Sequence, residues 1–260
     1  DLIAAGFSAA VLKGLEQREL IEGFDEEVVR DPLAHIESAA PPDLTPTSDQ
    51  QQILDPLSAA LDKNSFYPAL LHGVTGSGKT LVYIRLVAQA LASGRGSIIL
   101  VPEIALAWQM VRRFKEHFGK QVAVLHSQLS AGERYDTWRR LHRGEQRVVI
   151  GARSAILAPV DNLGLIVVDE EHDTSYKQED LDSSHPLSYS ARDLALIRGQ
   201  RSKAVVLLGS ATPSLESYWN ATTGKYHLHA LPRRVDDRPL PEVTVVDMKL
   251  EPFQKKQRAI

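Results

Sequence analysis

In LLHGVTGSGKT, residues 70–80, a short apolar run leads into a glycine-rich loop ending in Gly-Lys-Thr, and the fold can be predicted outward from this motif. An apolar helical pattern follows from Leu81. The spacing G-x-x-x-x-G-K-T between a strand and a helix is that of the phosphate-binding P-loop, whose backbone N–H groups converge on phosphate oxygens. In such loops the lysine, here Lys79, reaches the terminal phosphates and the hydroxyl of Thr80 binds Mg²⁺. The pattern predicts a nucleoside triphosphate site, against the alternative of a chance glycine loop.

Length and composition allow a globular protein with one large domain, or with one domain and a smaller partner. The chain has 260 residues, 43% of them hydrophobic and 24% charged. No run approaches the roughly 18–20 apolar residues that cross a bilayer, and no signal peptide is evident, so we expect no membrane partner. The absence of cysteine excludes disulfides and cysteine-ligated zinc within these residues. Because a P-loop enzyme needs cellular ATP or GTP, we expect a cytoplasmic location.

Charge divides the chain near residue 43. Residues 1–43 hold ten acids and three bases, whereas the remainder holds 23 acids and 27 bases. The change coincides with the prolines at Pro41-Pro42 and Pro46, which predicts a domain boundary. A helix is predicted over 8–17, and an acidic, proline-containing linker over 25–43. The mildly basic main body permits nucleic-acid binding without demonstrating it.

Strand and helix patterns alternate after this boundary. Short apolar runs rich in β-branched residues predict buried parallel strands at 69–72, 97–101, 122–125, 148–151, 165–169 and 204–209. Helical patterns lie between and before them, at 49–61, 79–92, 105–118, 131–142 and 190–198. This alternation predicts a doubly wound α/β fold with helices on both faces of the sheet.

Two of the predicted strands end in chemically informative residues. The first ends in DEEH, residues 169–172, where Asp169 could hold Mg²⁺ and Glu170 could orient the attacking water; the alternative is a solvated acidic turn. His172 could relay to a neighbouring loop or cap a turn. The second strand ends in GSATP, residues 209–213, whose hydroxyl groups could couple hydrolysis to movement. Alternatively, or in addition, Thr212 caps a helix that starts at the following proline.

These motifs, in this order, resemble motifs I, II and III of the superfamily 2 DExH helicases. Neighbouring stretches narrow the resemblance to the bacterial primosomal replication-restart helicases, from about residue 44 to the mid-240s: VPEIAL (101–106), LHS (125–127), GARSA (151–155), DEEHDTSYKQ (169–178) and ARDLA (191–195). The resemblance implies a RecA-like P-loop lobe that binds ATP and Mg²⁺, with a central, mostly parallel sheet. The domains it implies are a partial winged-helix module (1–24), the linker (25–43), helicase lobe 1 (44–235) and a connection toward a zinc module and a second lobe (236–260).

The resemblance also implies roles for individual residues. Phosphates and adenine would be bound by the loop and by one glutamine ahead of it: Gly73, Thr75, Gly76, Ser77, Gly78, Lys79, Thr80 and Gln50. Lys79, Asp169 and Glu170 would be catalytic, and coupling would involve His172, Ser210 and Thr212. DNA would contact motifs Ia (102–109) and Ib (151–154) and the segment after DEEH, through Arg153, Ser154, Tyr176 and Lys177. For Arg153 the alternative is a surface salt bridge, and for Tyr176 a packed core tyrosine.

The chain departs from the family pattern at three places near the expected DNA contacts: Ala152, Ala107-Trp108 and an insertion over 181–185. The arginine fingers of the second lobe, worth about 10³–10⁵ in rate in related systems, and a cysteine-rich zinc module are expected outside these residues. We therefore interpret the chain as a fragment of a longer helicase.

The function that the resemblance implies is ATP-dependent 3′-to-5′ unwinding at stalled or abandoned forks during replication restart. The expected partners are single-stranded and forked DNA, primosome proteins and single-strand-binding protein. Two alternatives are another superfamily 2 translocase or restriction-type motor subunit, and a P-loop binding module without catalysis.

Overall fold

A computed structural model describes residues 6–22, 30–33, 44–102, 104–177 and 188–235. Its strands are β1 Tyr67–Gly73, β2 Gly96–Leu100, β3 Val122–Leu125, β4 Val148–Gly151, β5 Leu163–Asp169, β6 Val205–Ser210 and β7 His227–Leu231. They form one seven-stranded sheet in the order β3-β4-β2-β5-β6-β1-β7, and every neighbouring pair is parallel. The predicted α/β class with a parallel sheet is confirmed.

Helices cover both faces of this sheet. Six of them pack on it, α2 Ser48–Asp62, α3 Lys79–Ala92, α4 Ile104–Phe118, α5 Ala131–His142, α6 Ala191–Ser202 and α7 Leu215–Thr222, whereas the preceding helix α1 Ala9–Glu16 has no buried residue. One core cluster joins Leu71 of β1 to α2, α3 and α4, and a second joins Leu70 to α5, α6 and α7. Adjacent strand residues point to opposite faces, so both faces of β1 are apolar and buried. Among the described residues, no helix is long and apolar enough to span a bilayer.

The sequence patterns located most elements within two residues, but two features at the end of the lobe differ. Strand β7 was not predicted, because four of its five side chains are exposed or half-buried and lack an apolar pattern. The prediction that Thr212 caps a helix starting at Pro213 is wrong. Helix α7 starts at Leu215, and its N-cap is Ser214, whose hydroxyl accepts from the Ser217 N–H. The sequence Thr212-Pro213-Ser214 offers two hydroxyl residues that could cap the helix, and the local pattern does not distinguish them.

The described part of the predicted linker contacts the lobe. The Arg30 N–H and guanidinium both donate to the Asp136 carboxylate of α5, at 3.1 and 3.4 Å. Leu33 is 2% exposed and packs in the α2–α4 core, where Lys115 donates to its carbonyl oxygen. Residues 30–33 thus form a short anchor rather than a solvated spacer.

Gly199 is required by close packing of α6 on the sheet. A Cβ at this position would lie 2.1 Å from Cγ2 of Val206 in β6. We expect Gly199→Ala to lower the free energy of unfolding by about 1–3 kcal/mol, because overpacking outweighs the gain in helix propensity of up to about 1 kcal/mol. Urea denaturation measures this, and Val206→Ala should recover part of the loss in the double variant. A Gly199→Ala protein as stable as the wild type would contradict this packing.

Candidate nucleotide site

The P-loop connects β1 to α3 and leaves the start of the helix open. Gly76 and Gly78 have φ of +83° and +80°, a left-handed conformation that glycine adopts without a steric penalty. Gly78 is the N-cap of α3, and no side chain caps the helix there. The first N–H groups of this 14-residue helix are therefore available to an anion, with the positive end of the helix dipole behind them.

Lys79 faces the DEEH turn across the loop. Its ammonium donates to the carbonyl oxygen of Gly73 at 2.9 Å and lies 3.7 Å from a carboxylate oxygen of Glu170. The loop and the acidic turn thus meet at the carboxyl ends of β1 and β5, where parallel sheets bind ligands. Phosphates placed at the helix N-terminus would lie in the cleft that Lys79, Asp169 and Glu170 line.

Asp169 is held by a buried tyrosine that sequence analysis did not identify. The hydroxyl of Tyr83, a fully buried residue of α3, donates to Oδ1 of Asp169 at 2.9 Å. A Cβ on Gly209 of β6 would lie 1.9 Å from that hydroxyl oxygen, so only glycine leaves room for the contact. The available sequence signal was that Tyr83 follows Lys79 by one helical turn and therefore lies on the same face.

Burial raises the pKa of Asp169 to about 6, and the hydrogen bond from Tyr83 offsets only part of this rise. The same burial, together with the nearby Asp169 charge, raises the pKa of Tyr83 well above its usual value, so its hydroxyl stays a donor. At neutral pH the Asp169 carboxylate is ionised, although folding stability is lost in keeping it so.

The cleft between loop and acids fits a nucleotide with its metal ion. Its volume is about 570 Å³, and its lining includes Thr80 and Asp169. The Ser77 hydroxyl is buried and has no hydrogen-bond partner among the described residues, as expected where a ligand supplies one. A hydroxyl and a carboxylate are oxygen ligands of the kind Mg²⁺ prefers, so Thr80 and Asp169 would hold it. Bound Mg²⁺ neutralises charge on the phosphate oxygens.

Gln50 lines this cleft and supports the P-loop. It is 1% exposed, its amide N–H donates to the carbonyl oxygen of Ser77 at 3.0 Å, and its amide oxygen accepts from the Thr47 N–H at 2.9 Å. A Cβ on Gly78 would lie 2.3 Å from the Gln50 amide nitrogen. The side chain therefore holds the loop against α2, and its contact with adenine stays a prediction.

The predicted coupling residues are adjacent in space. Nδ1 of His172 lies 2.8 Å from the Ser210 hydroxyl and 3.7 Å from the Glu170 carboxylate. The Ser210 hydroxyl also accepts from the Thr212 N–H at 2.9 Å. His172 thus lies between the acid beside the phosphate site and the residues that follow β6. Whether it transmits hydrolysis stays a prediction.

The segments predicted to contact DNA meet at the same edge of the sheet. The Arg153 guanidinium donates to the carbonyl oxygen of Lys177 at 3.0 Å and lies over the ring of Tyr189, with 5.7 Å to its centroid. The Ser175 hydroxyl donates to the carbonyl oxygen of Pro102 at 3.1 Å, which joins motif Ia to the segment after DEEH. The side chains of Ser154 and Lys177 are exposed. These positions suit a strand of nucleic acid, and the contacts themselves stay predictions.

The prediction that Tyr176 stacks on a DNA base is contradicted by its position. The residue is 2% exposed, and its hydroxyl donates to the backbone carbonyl oxygen of Asp169 at 2.6 Å. Its ring belongs to the core cluster on the α5–α7 face. The alternative of a packed core tyrosine holds, because the 3₁₀ turn Thr174–Tyr176 directs this ring inward.

The P-loop, the acidic turn and the parallel sheet define the RecA-like lobe of a P-loop ATPase motor. Residues 47–219 match the DEAD/DEAH box helicase family. The chain belongs to this family.

Similar curated proteins carry the name replication restart protein PriA, which confirms the resemblance found in the motifs. The chain is 48% identical to that of Bacillus subtilis over 244 residues, covering 94% of this chain and 30% of the relative. The chain is 45% identical to the protein of this name from Chlamydia trachomatis, and the match covers 94% of this chain and 32% of the relative. For the protein from Haemophilus influenzae the identity is 38%, covering 95% and 34%. The chain spans about a third of the length of these relatives.

Solved helicase structures share the fold. RecG bound to a three-way DNA junction is 25% identical with a TM-score of 0.53, covering 73% of this chain and 24% of the other. The Hef helicase domain of Pyrococcus furiosus is 20% identical with a TM-score of 0.50, covering 74% and 39%, and supports the fold alone. Both confirm the expected RecA-like architecture.

Replacing Asp169 by Asn should stabilise the protein while removing its metal ligand. The folded pKa near 6 lies above the usual 3.8, so the wild type loses stability as pH rises from about 4 to 6. We expect Asp169→Asn to raise the free energy of unfolding by about 1–3 kcal/mol at pH 7, because the amide stays neutral. Thermal melts from pH 4 to 8 measure this, and the two proteins should converge near pH 4. A difference independent of pH would contradict the origin in ionisation.

Proposed function

We propose that this chain supplies the ATP-binding first motor lobe of an ATP-dependent DNA helicase that acts in replication restart. The observation that carries the proposal is the 3.7 Å approach of the Lys79 ammonium to the Glu170 carboxylate, with Asp169 beside them at the end of β5. In this proposal Lys79 contacts the terminal phosphates, and Glu170 orients and activates the attacking water.

The biological assignment is supported by the relatives that carry the name replication restart protein PriA. We infer that the substrates are single-stranded and forked DNA, and that the partners are primosome proteins and single-strand-binding protein. We assign residues 44–235 to helicase lobe 1, 1–24 to part of a winged-helix module, 25–43 to a linker and 236–260 to a connection. Zinc would be bound outside these residues, and the protein would act in the cytoplasm, with 3′-to-5′ polarity.

Replacing Glu170 by Gln in the full-length protein tests the catalytic assignment. Because the amide cannot accept a proton from water, we expect turnover to fall by about 10²–10⁴-fold while ATP still binds. ATP hydrolysis and strand separation are measured with forked DNA, single strands and duplex at one salt concentration, with Glu216→Gln, a surface carboxylate of α7, as control. Unchanged turnover would identify a non-catalytic binding module, and movement on duplex without unwinding would identify a translocase.

The 260 residues alone should bind Mg·ATP weakly and hydrolyse it slowly. The proposed mechanism needs arginine fingers from a second lobe, which contribute about 10³–10⁵ in rate in related systems. Calorimetry with ATP and Mg²⁺, with Lys79→Ala as control, measures the binding, and phosphate release with single-stranded DNA measures turnover. Tight binding together with robust DNA-stimulated turnover would show that these residues need no second lobe.

A further inference from the structure

Glu171, the third residue of the DEEH turn, has no role in the proposed chemistry. Its carboxylate nevertheless accepts four hydrogen bonds from the protein. The side chain of Glu171 is 0% exposed. One carboxylate oxygen, Oε1, accepts from the Ser214 N–H at 2.7 Å. The other, Oε2, accepts from the Ser214 and Ser217 hydroxyls at 3.0 and 2.7 Å, and from the Arg192 guanidinium at 3.2 Å. Four donors from two helices thus converge on one buried charge.

The preceding residue is held in a strained conformation. Glu170 has a φ of +46°, in the left-handed region that costs a residue with a side chain about 1–3 kcal/mol. Such strain persists only where neighbouring contacts determine the backbone. On the C-terminal side, the Glu171 N–H donates to the carbonyl oxygen of Gly209 at 3.0 Å, and the Asp173 N–H donates to that of Glu170 at 2.9 Å. Backbone hydrogen bonds and the buried Glu171 side chain thus both hold the residue directly after the strained one.

The cation of this cluster comes from another part of the chain. Arg192 lies in the first turn of α6, and its guanidinium also donates to the Ser214 hydroxyl at 2.8 Å. Its side chain is only 15% exposed, so the ion pair with Glu171 is shielded from solvent. Removing one member of such a pair leaves an uncompensated buried charge or an unsatisfied set of donors.

We infer that Glu171 and Arg192 are positioning residues for the general base Glu170. Their buried ion pair, completed by Ser214 and Ser217, holds the acidic turn against the caps of α6 and α7. The Glu170 backbone is thereby kept in the left-handed conformation that places its carboxylate beside Lys79. This inference rests on the proposed role of Glu170 in hydrolysis.

Glu171→Gln breaks the arrangement without changing the shape of the side chain. Whichever way the amide is oriented, its NH₂ group faces a donor that cannot turn away: the Ser214 N–H at one position and the Arg192 guanidinium at the other. In the full-length protein we expect kcat for ATP to fall about 10–100-fold, because a displacement of about 1 Å can cost that much. KM for ATP should stay within about threefold, since the P-loop contacts are unchanged.

Two Arg192 variants test the same inference at a second position. In these variants the three donors of Ser214 and Ser217 still hold Glu171, so they can test the inference even if Glu171→Gln misfolds. Arg192→Gln should lower kcat, whereas Arg192→Lys, which keeps the charge, should retain most of it. In the Glu171→Gln/Arg192→Gln protein the loss should be smaller than the product of the single losses, because no uncompensated charge remains.

Val206→Ala is the stability control, because it shortens a fully buried apolar side chain of β6 and removes no hydrogen bond from the acidic turn. The kcat of each variant is compared with that of Val206→Ala, with both proteins assayed at the same interval below their melting temperatures. A Glu171→Gln protein whose kcat stays within about twofold of the control, or an Arg192→Gln protein with unchanged kcat, would overturn the inference and leave the pair a structural one. Unchanged turnover in Glu170→Gln would instead overturn the proposed function itself.

Discussion

The arrangement of the site depends on how negative charge is accommodated at the end of one buried strand. Strand β5 ends between β2 and β6 in the centre of the sheet, so the acids that follow it are partly removed from water. The Tyr83 hydroxyl donates a hydrogen bond to Asp169. Arg192, Ser214 and Ser217 donate hydrogen bonds to Glu171. Between them Glu170 is left with its carboxylate toward Lys79. Without these partners the cost of burying charge would favour a different turn.

The protein compensates for only part of the cost of burying the Asp169 charge, and this suits the proposed role of Asp169 in binding Mg²⁺. The hydrogen bonds from Tyr83 and the Glu170 backbone, with the Lys79 charge, compensate only in part for the burial of Asp169, which is why its pKa is raised to about 6. A carboxylate that the protein satisfies only in part retains the capacity to bind a cation. Glu171 shows the opposite case, because its donors occupy both oxygens and leave nothing for a ligand. The surroundings of these two acids, which are two residues apart, thus suit them to different roles.

Much of the fold could be predicted because local patterns and global architecture agree. The P-loop pattern located α3 from Lys79 to Ala92, and the apolar runs located β3 and β4 with their observed bounds. What escaped prediction depends on the partner surface. Strand β7 lacks an apolar pattern because it lies at an edge. Ser214 rather than Thr212 caps α7, and the same serine also donates to Glu171, which lies 43 residues earlier in the chain. Tyr176 resembled a DNA-contacting residue and is packed in the core.

The residues that carry the chemistry can be identified from the sequence, because a glycine-rich loop before a helix and acids after a buried strand have few other uses at that spacing. Which of the acids face the cleft and which are enclosed depends on tertiary packing. The reason is physical, because the partners Tyr83, Arg192 and Ser214 reach the acidic turn from three different helices or caps. Their convergence is set by packing across the sheet, and no local pattern around DEEH encodes it.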